Sequence, residues 1–230
     1  MRRSRAALAA GAVASAVSAV LAVPVGQADG SALYRDGSVV ARLRGATVAL
    51  RAAPGSSRVL AVAQRTTEFG SPTTLAVAGT QGRWAEVMSP LLPNDVHGFV
   101  NRKLLRLSRV QIAVDVDLSR RELRVWRRGE IRRRIEVAIG AAGSRTPIGR
   151  FAVTDELTDF YSSAYGCCVL ALSGHQTHLP PGWTGGDRLA IHGGGGIGSA
   201  VSNGCLHARE TDLRWLLSQV PLGMQVVIHP

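Results

Sequence analysis

The chain is poor in cysteine, lysine and aromatic residues. Three cysteines in 230 residues, an adjacent pair (Cys167, Cys168) and Cys205, are too few and too odd in number for a disulfide framework. Neighbouring cysteines on a strand point to opposite faces, so no bridge between Cys167 and Cys168 is expected. A bridge from either to Cys205 would remove that thiol. No C-x2-C stands with an H-x3-H, the tight spacing typical of zinc. His175-x-x-His178, in a Gly/Pro-rich loop, comes nearest, and neither a metal nor another cofactor is expected. His97 and His229 read as ordinary surface or strand histidines. Lys103 is the one lysine, so arginine carries nearly all the charge that 27 basic against 16 acidic residues leave at +11. Such a balance favours an anionic partner. Nucleic acid is not expected to be that partner, because no recognition motif is visible and the arginines fall on strands and turns. Internal repeats are also absent.

What is present divides into three stretches. Residues 1–28 read as a signal peptide: Arg2, Arg3 and Arg5 precede a small and apolar run from Ala6 to about Val23, with Gly26 and Ala28 suited to cleavage. The run is about seventeen residues, near the lower limit for a spanning helix, so an uncut N-terminal anchor is the alternative. Removing three arginines lowers the charge from +11 to +8. Asp29 to about Leu33 reads as a short linker. Residues 34–107 alternate short β-type runs, such as Ala46–Leu50 and Thr74–Ala78, with Gly, Ser and Pro turns. That spacing predicts a small all-β barrel. Ser108–Arg109 marks the join to residues 110–230.

Strands dominate again from about 112. Leu123 and Val125 share one face, Ile131, Ile135, Val137 and Ile139 line the returning stretch, and Arg128–Gly129 between them fits a hairpin turn. Leu213, Leu216, Leu217 and Val220 repeat at the spacing of a buried helical stripe, with Glu210 and Thr211 at its start and Pro221 and Gly223 at its end. The chain is therefore expected to be mainly β, with one clear helix late in the sequence.

Chemistry concentrates in Ile191-His192-Gly193 and Ser202-Asn203-Gly204-Cys205-Leu206-His207. A cysteine thiol, with an ordinary pKa of about 8.5, needs a base to attack at neutral pH. An imidazole within hydrogen-bond reach can supply it. Glycine lets the backbone turn sharply, and the N–H groups of Gly204 and Cys205 could hold an oxyanion. Ser202 could bond either the turn or a substrate. These residues point to acyl transfer by Cys205 and His192.

The ordered set Val137-Ala-Ile-Gly140, Thr146-Pro-Ile-Gly-Arg-Phe151, Ile191-His-Gly193 and Ser202-Asn-Gly-Cys205 resembles the L,D-transpeptidase (YkuD) catalytic domain. The segments Ile112–Leu118, Glu122–Trp126, Leu213–Leu217 and Val220–Ile228 look like its opening strands, closing helix and last strand. The resemblance runs from about 110 to 229. Trp84, Pro93-Asn94 and Gly98-Phe-Val100 look like a bacterial SH3-like domain, in which Trp84 would be either a ligand platform or core. Three positions depart from the commoner family pattern: Asn203 stands for histidine, His207 for arginine and Gly194 for threonine or serine. A histidine cannot grip a carboxylate bidentately as arginine does.

The resemblance implies a β-sandwich whose Cys205 attacks the carbonyl between meso-diaminopimelate and the terminal D-alanine of a peptidoglycan tetrapeptide stem. A cysteinyl thioester forms, and the amine of a second stem then resolves it into a 3→3 cross-link. His192 would be the base, oriented by the Gly193 carbonyl. Asn203, His207, Tyr165 and Trp183 would contact substrate, the last two from a lid or cleft wall. Carbapenem-type inhibitors would acylate Cys205, and the basic surface would meet anionic cell-wall polymers of the envelope to which the chain is exported. An L,D-carboxypeptidase and a non-catalytic wall-binding protein are the alternatives.

Overall fold

The computed structural model describes residues 30–158 and 163–230. The expected leader, 1–28, lies outside them, and among the described residues no helix is long and apolar enough to cross a membrane. The chain opens with α1 (Gly30–Asp36) and seven strands: β1 (Ser38–Leu43), β2 (Thr47–Arg51), β3 (Val59–Gln64), β4 (Thr74–Gln81), β5 (Trp84–Met88), β6 (Gly98–Asn101) and β7 (Leu105–Val110). They form one sheet in the order β3-β2-β6-β5-β4-β1-β7, with antiparallel pairing throughout. Its fully buried side chains include Leu50, Leu75, Val87 and Leu105. Trp84 is only half-buried, with the Arg83 guanidinium 5.9 Å from its ring.

The remaining strands are β8 (Ala113–Asp117), β9 (Glu122–Arg127), β10 (Glu130–Glu136), β11 (Ile139–Gly140), β12 (Gly149–Thr158), β13 (Cys168–His175), β14 (Arg188–Gly193), β15 (Ala200–Ser202) and β16 (Leu206–Ala208). Helix α2 (Glu210–Gln219) and β17 (Gln225–His229) close the chain. Eight of these strands make a second sheet in the order β10-β9-β8-β17-β12-β13-β14-β16, and β11 pairs with β15 beside it. The protein is mainly β, with one clear helix after Cys205.

Alternation explains the layers. Val114 and Val116 of β8 face the core with Leu123 and Val125 of β9, and α2 lays Leu213 and Leu216 on the same core. The β9–β10 turn has positive φ at both Arg128 (54°) and Gly129 (81°), the signature of the tight turns that match strand twist. Asp115 and Asp117 of β8 are also buried, on the opposite face, where Arg124 bridges them at 3.3 and 2.8 Å. A buried carboxylate needs such a partner.

Two expectations are corrected. The segment read as a linker contributes to α1, because Tyr34 stacks on Trp126 (ring centroids 5.0 Å apart) and donates to Asp115 Oδ1 at 2.8 Å. Cys167 and Cys168 are joined in a vicinal disulfide. Cys167 lies in a turn and only Cys168 in the strand, so strand alternation does not force the two sulfurs apart.

The two sheets pack directly. Gln225 of β17 receives the decisive contacts: its main-chain N–H donates to Ser38 Oγ (2.9 Å) and its side-chain amide donates to Val77 O (3.0 Å). Ala76, Met88 and Ala152 form a small shared core.

Candidate active site

Parallel pairing of β14 with β16 sets His192 opposite His207 and Ile191 opposite Leu206. Cys205 immediately precedes β16, so the strand pairing brings the two halves of the motif to one place although Cys205 lies thirteen positions after His192. The Cys205 thiol lies along the β14 backbone. Its Sγ donates to Arg188 O at 3.9 Å and receives a hydrogen bond from the Ala190 N–H. Burial pushes the thiol up to about 11, and the Ala190 N–H opposes that only in part.

His192 is buried, with 5% of its surface exposed. Its Nδ1 lies 2.5 Å from Gly193 O. A carbonyl can only accept, so Nδ1 carries the proton and Nε2 presents the lone pair. The ring sits between two others, Tyr165 edge-on at 4.8 Å and His207 tilted at 4.7 Å. Burial draws the His192 pKa down to about 4; the Gly193 carbonyl resists and His207 adds to the fall. His207 is itself held, with Nδ1 3.0 Å from Gly195 O.

The turn before Cys205 is tied from two sides. Ser202 is buried; its hydroxyl donates to Cys205 O (2.6 Å) and accepts from the Gly204 N–H (3.1 Å). The Gly204 N–H, expected at the oxyanion, thus turns back to Ser202 instead. Asn203 is exposed at its side chain, while its carbonyl accepts from Gln176 Nε2 at 3.0 Å. Gly204 has φ +114°, which only glycine adopts freely, and a Cβ there would collide with that same Nε2.

Gly193 and Gly166 touch through their backbones: a Cβ on Gly193 would lie 2.8 Å from Gly166 Cα. This contact carries the Tyr165-Gly166-Cys167-Cys168 segment onto the site. Trp183 is not brought in. Its indole folds over its own loop, with Nε1 donating to Gly186 O at 3.0 Å. Asp187 and Pro90 O hold His175, and Thr177 holds His178, so the histidine pair is engaged elsewhere. No cluster of metal-ligating side chains occurs among the described residues.

Sequence reasoning missed Gln176 and Gly166. Neither belongs to a recognisable motif, and both act through backbone contacts distant in sequence. Two cavities flank the centre without including Cys205 or His192. One of about 480 Å³ lies between the sheets and is bordered by Thr67, Glu68, His175, Asp187 and Arg188. The other, of about 680 Å³, is bordered by Gly140, Arg145, Thr146 and His178.

A protein of Bacillus licheniformis named as an L,D-transpeptidase, YkuD, is 30% identical over 120 residues, 51% of this chain and 65% of its own length. An L,D-transpeptidase structure from Mycobacterium smegmatis matches with 17% identity and TM-score 0.43, over 68% of this chain and 82% of that one. The structure of Bd1075 from Bdellovibrio bacteriovorus matches with 20% identity and TM-score 0.41, over 52% and 48%. The chain thus spans less than two thirds of the Bacillus and Bdellovibrio proteins. The sequence model of the L,D-transpeptidase catalytic domain, YkuD, matches residues 111–228, half of the chain, and the protein belongs to that family.

Proposed function

We propose that the protein is an exported peptidoglycan L,D-transpeptidase with Cys205 as nucleophile and His192 as base. The observation that carries this reading is the His192 imidazole, whose Nδ1–H is fixed on Gly193 O while Nε2 keeps its lone pair, beside the strand that cradles the Cys205 thiol. A third group that orients the base in this way is the general pattern of activated nucleophiles.

The resting pair is neutral. With the thiol near 11 and the imidazole near 4, neither side holds a standing charge at pH 7. The proton therefore moves from Sγ to Nε2 as Sγ attacks the stem-peptide carbonyl, and Cys205 N–H steadies the oxygen. The C–N bond to D-alanine breaks, and that amine leaves with the proton that His192 took. In the second half the amine of another stem attacks the thioester, His192 removes its proton, and the thiol is released. Water in place of that amine would make the enzyme a carboxypeptidase. The N-terminal basic and apolar segment supports export, and the arginine-rich surface suits an anionic envelope.

Intact-mass spectrometry with a carbapenem tests the reading. Wild type should gain the full mass of the opened lactam. Cys205→Ala should gain none, and His192→Ala should gain it much more slowly. A folded wild type that stays unmodified would transfer the lead to wall binding without catalysis. An adduct that survives Cys205→Ala would refute the nucleophile.

A further inference from the structure

We infer that Gln176 is a positioning residue for the acyl-oxygen site: it fixes the Asn203–Gly204 peptide plane and through it aims the Cys205 N–H. This inference rests on the acyl-transfer reading above.

Gln176 is 6% exposed. It directly follows β13, and its main-chain N–H donates to Asp187 O at 2.7 Å. Its side-chain amide is saturated from every direction. Nε2 donates to Ser144 O (3.1 Å), Arg145 O (3.0 Å) and Asn203 O (3.0 Å), and Oε1 accepts from the His178 N–H (2.9 Å). Two N–H bonds thus serve three carbonyls, which no other uncharged side chain of this size and shape could do while also accepting. One amide joins three segments: residues 144–145, 176–178 and the turn at 203.

The bond to Asn203 has a consequence for the thiol. The carbonyl of Asn203 and the N–H of Gly204 belong to one planar peptide unit. Gln176 holds the oxygen end and Ser202 Oγ holds the nitrogen end. With that plane pinned at both ends, the torsion of Gly204 sets where the next N–H points, and that N–H is Cys205's. The glycine is obligatory on both counts, since its φ of +114° is left-handed and a Cβ would strike Nε2 of Gln176. A preorganised donor is worth more than one that must be ordered during reaction.

Leucine and glutamate at 176 separate positioning from folding. Gln176→Leu keeps the bulk and removes the donors. Gln176→Glu keeps the shape but is a donor only when protonated. Carbapenem acylation by Gln176→Leu should fall by about 10²-fold, the effect of losing one oxyanion donor. Alkylation of Cys205 by iodoacetamide, which needs no oxyanion site, should stay within about threefold of wild type. Gln176→Glu, divided by wild type at each pH, should regain acylation by about tenfold as pH falls from about 8 to 5.5, because a buried carboxyl protonates in that range. Acylation that is unchanged, or that falls in step with alkylation, would overturn the inference. A wild type that carbapenem does not modify would defeat the proposed activity instead. Amide exchange across residues 202–206 then decides the clamp: faster exchange in Gln176→Leu upholds it, and equal exchange refutes it.

Discussion

Gly194 and His207 are a matched pair: a Cβ on Gly194 would lie 2.6 Å from Nδ1 of His207. The side chain allowed at 194 therefore depends on the ring at 207. The imidazole at 207 fills space beside the Gly194 backbone and stacks toward His192. Gly194→Ala should destabilise the fold by about 1–3 kcal/mol, the usual effect of overpacking. Gly194→Ala with His207→Ala should be less destabilised than the sum of the two single changes, because the ring that the methyl strikes is gone. Denaturant melts of the four proteins measure the coupling, and strict additivity would contradict the contact.

The neutral resting pair makes a pH prediction with a definite sign. The folded pKa of His192, about 4, lies below its ordinary 6.5. Between those values the unfolded chain binds the proton and the folded chain does not. Stability therefore rises with pH across this window and is lost on acidification from 6.5 toward 4, by up to about 3 kcal/mol from this group. The same melts run from pH 7.5 to 4.5 should show that slope, reduced in His192→Gln. Cys205 behaves oppositely: its pKa is raised to about 11, so its contribution is complete at neutral pH and disappears above the folded value. Its alkylation rate should keep climbing through pH 10, where an ordinary thiol has levelled off.

Cys205 is the free cysteine among the described residues, and Cys167 and Cys168 are bridged. Unreduced protein, denatured and treated with iodoacetamide, should carry one label, on Cys205. After reduction it should carry three. A ring closed between neighbouring residues removes little loop entropy from the unfolded chain, so Cys167→Ser with Cys168→Ser should shift the melting temperature by only a few degrees. Three labels without reduction would show that the bridge is absent.

The readable parts of the sequence were those whose cause is local. Alternation in Glu122–Arg127 and the Arg128–Gly129 turn announce a hairpin, and the stripe at Leu213, Leu216, Leu217 and Val220 announces α2, with Leu213, Leu216 and Val220 buried and Leu217 partly buried against the same core. Helix α1 was not readable, because Gly30–Asp36 carries no helical stripe and is held by Tyr34 on Trp126 and Asp115, about eighty residues or more away. His192 and Cys205 stood out as residue types that do chemistry. Gln176 did not, since a glutamine declares nothing until three distant carbonyls converge on it. The Gly204 N–H was misplaced for a related reason: a positive φ is foreseeable at glycine, but the direction it turns the amide is not.

The packing of Gly166 on Gly193 yields the sharpest contrast among the glycines of the site. Gly166 has φ +68°, and a Cβ there would stand 2.9 Å from Gly193 Cα and 3.2 Å from Glu210 Oε1. The first neighbour is backbone and cannot rotate away. Gly166→Ala must push its segment off the β14 end, and with it the Tyr165 ring that packs against His192. A displaced or more exposed imidazole loses the burial that holds its pKa near 4. The variant should acylate more slowly by about 10²-fold, as misplacement of a catalytic group by about 1 Å does, and the His192 pKa should rise toward 6.5 in an NMR titration. Gly195→Ala is the control: nothing lies within 4 Å of a Cβ at Gly195, and its φ is not left-handed. It should acylate like wild type. Equal effects of the two alanines would mean that the whole glycine loop tolerates no side chain, and that the Gly166–Gly193 contact has no special part in placing His192.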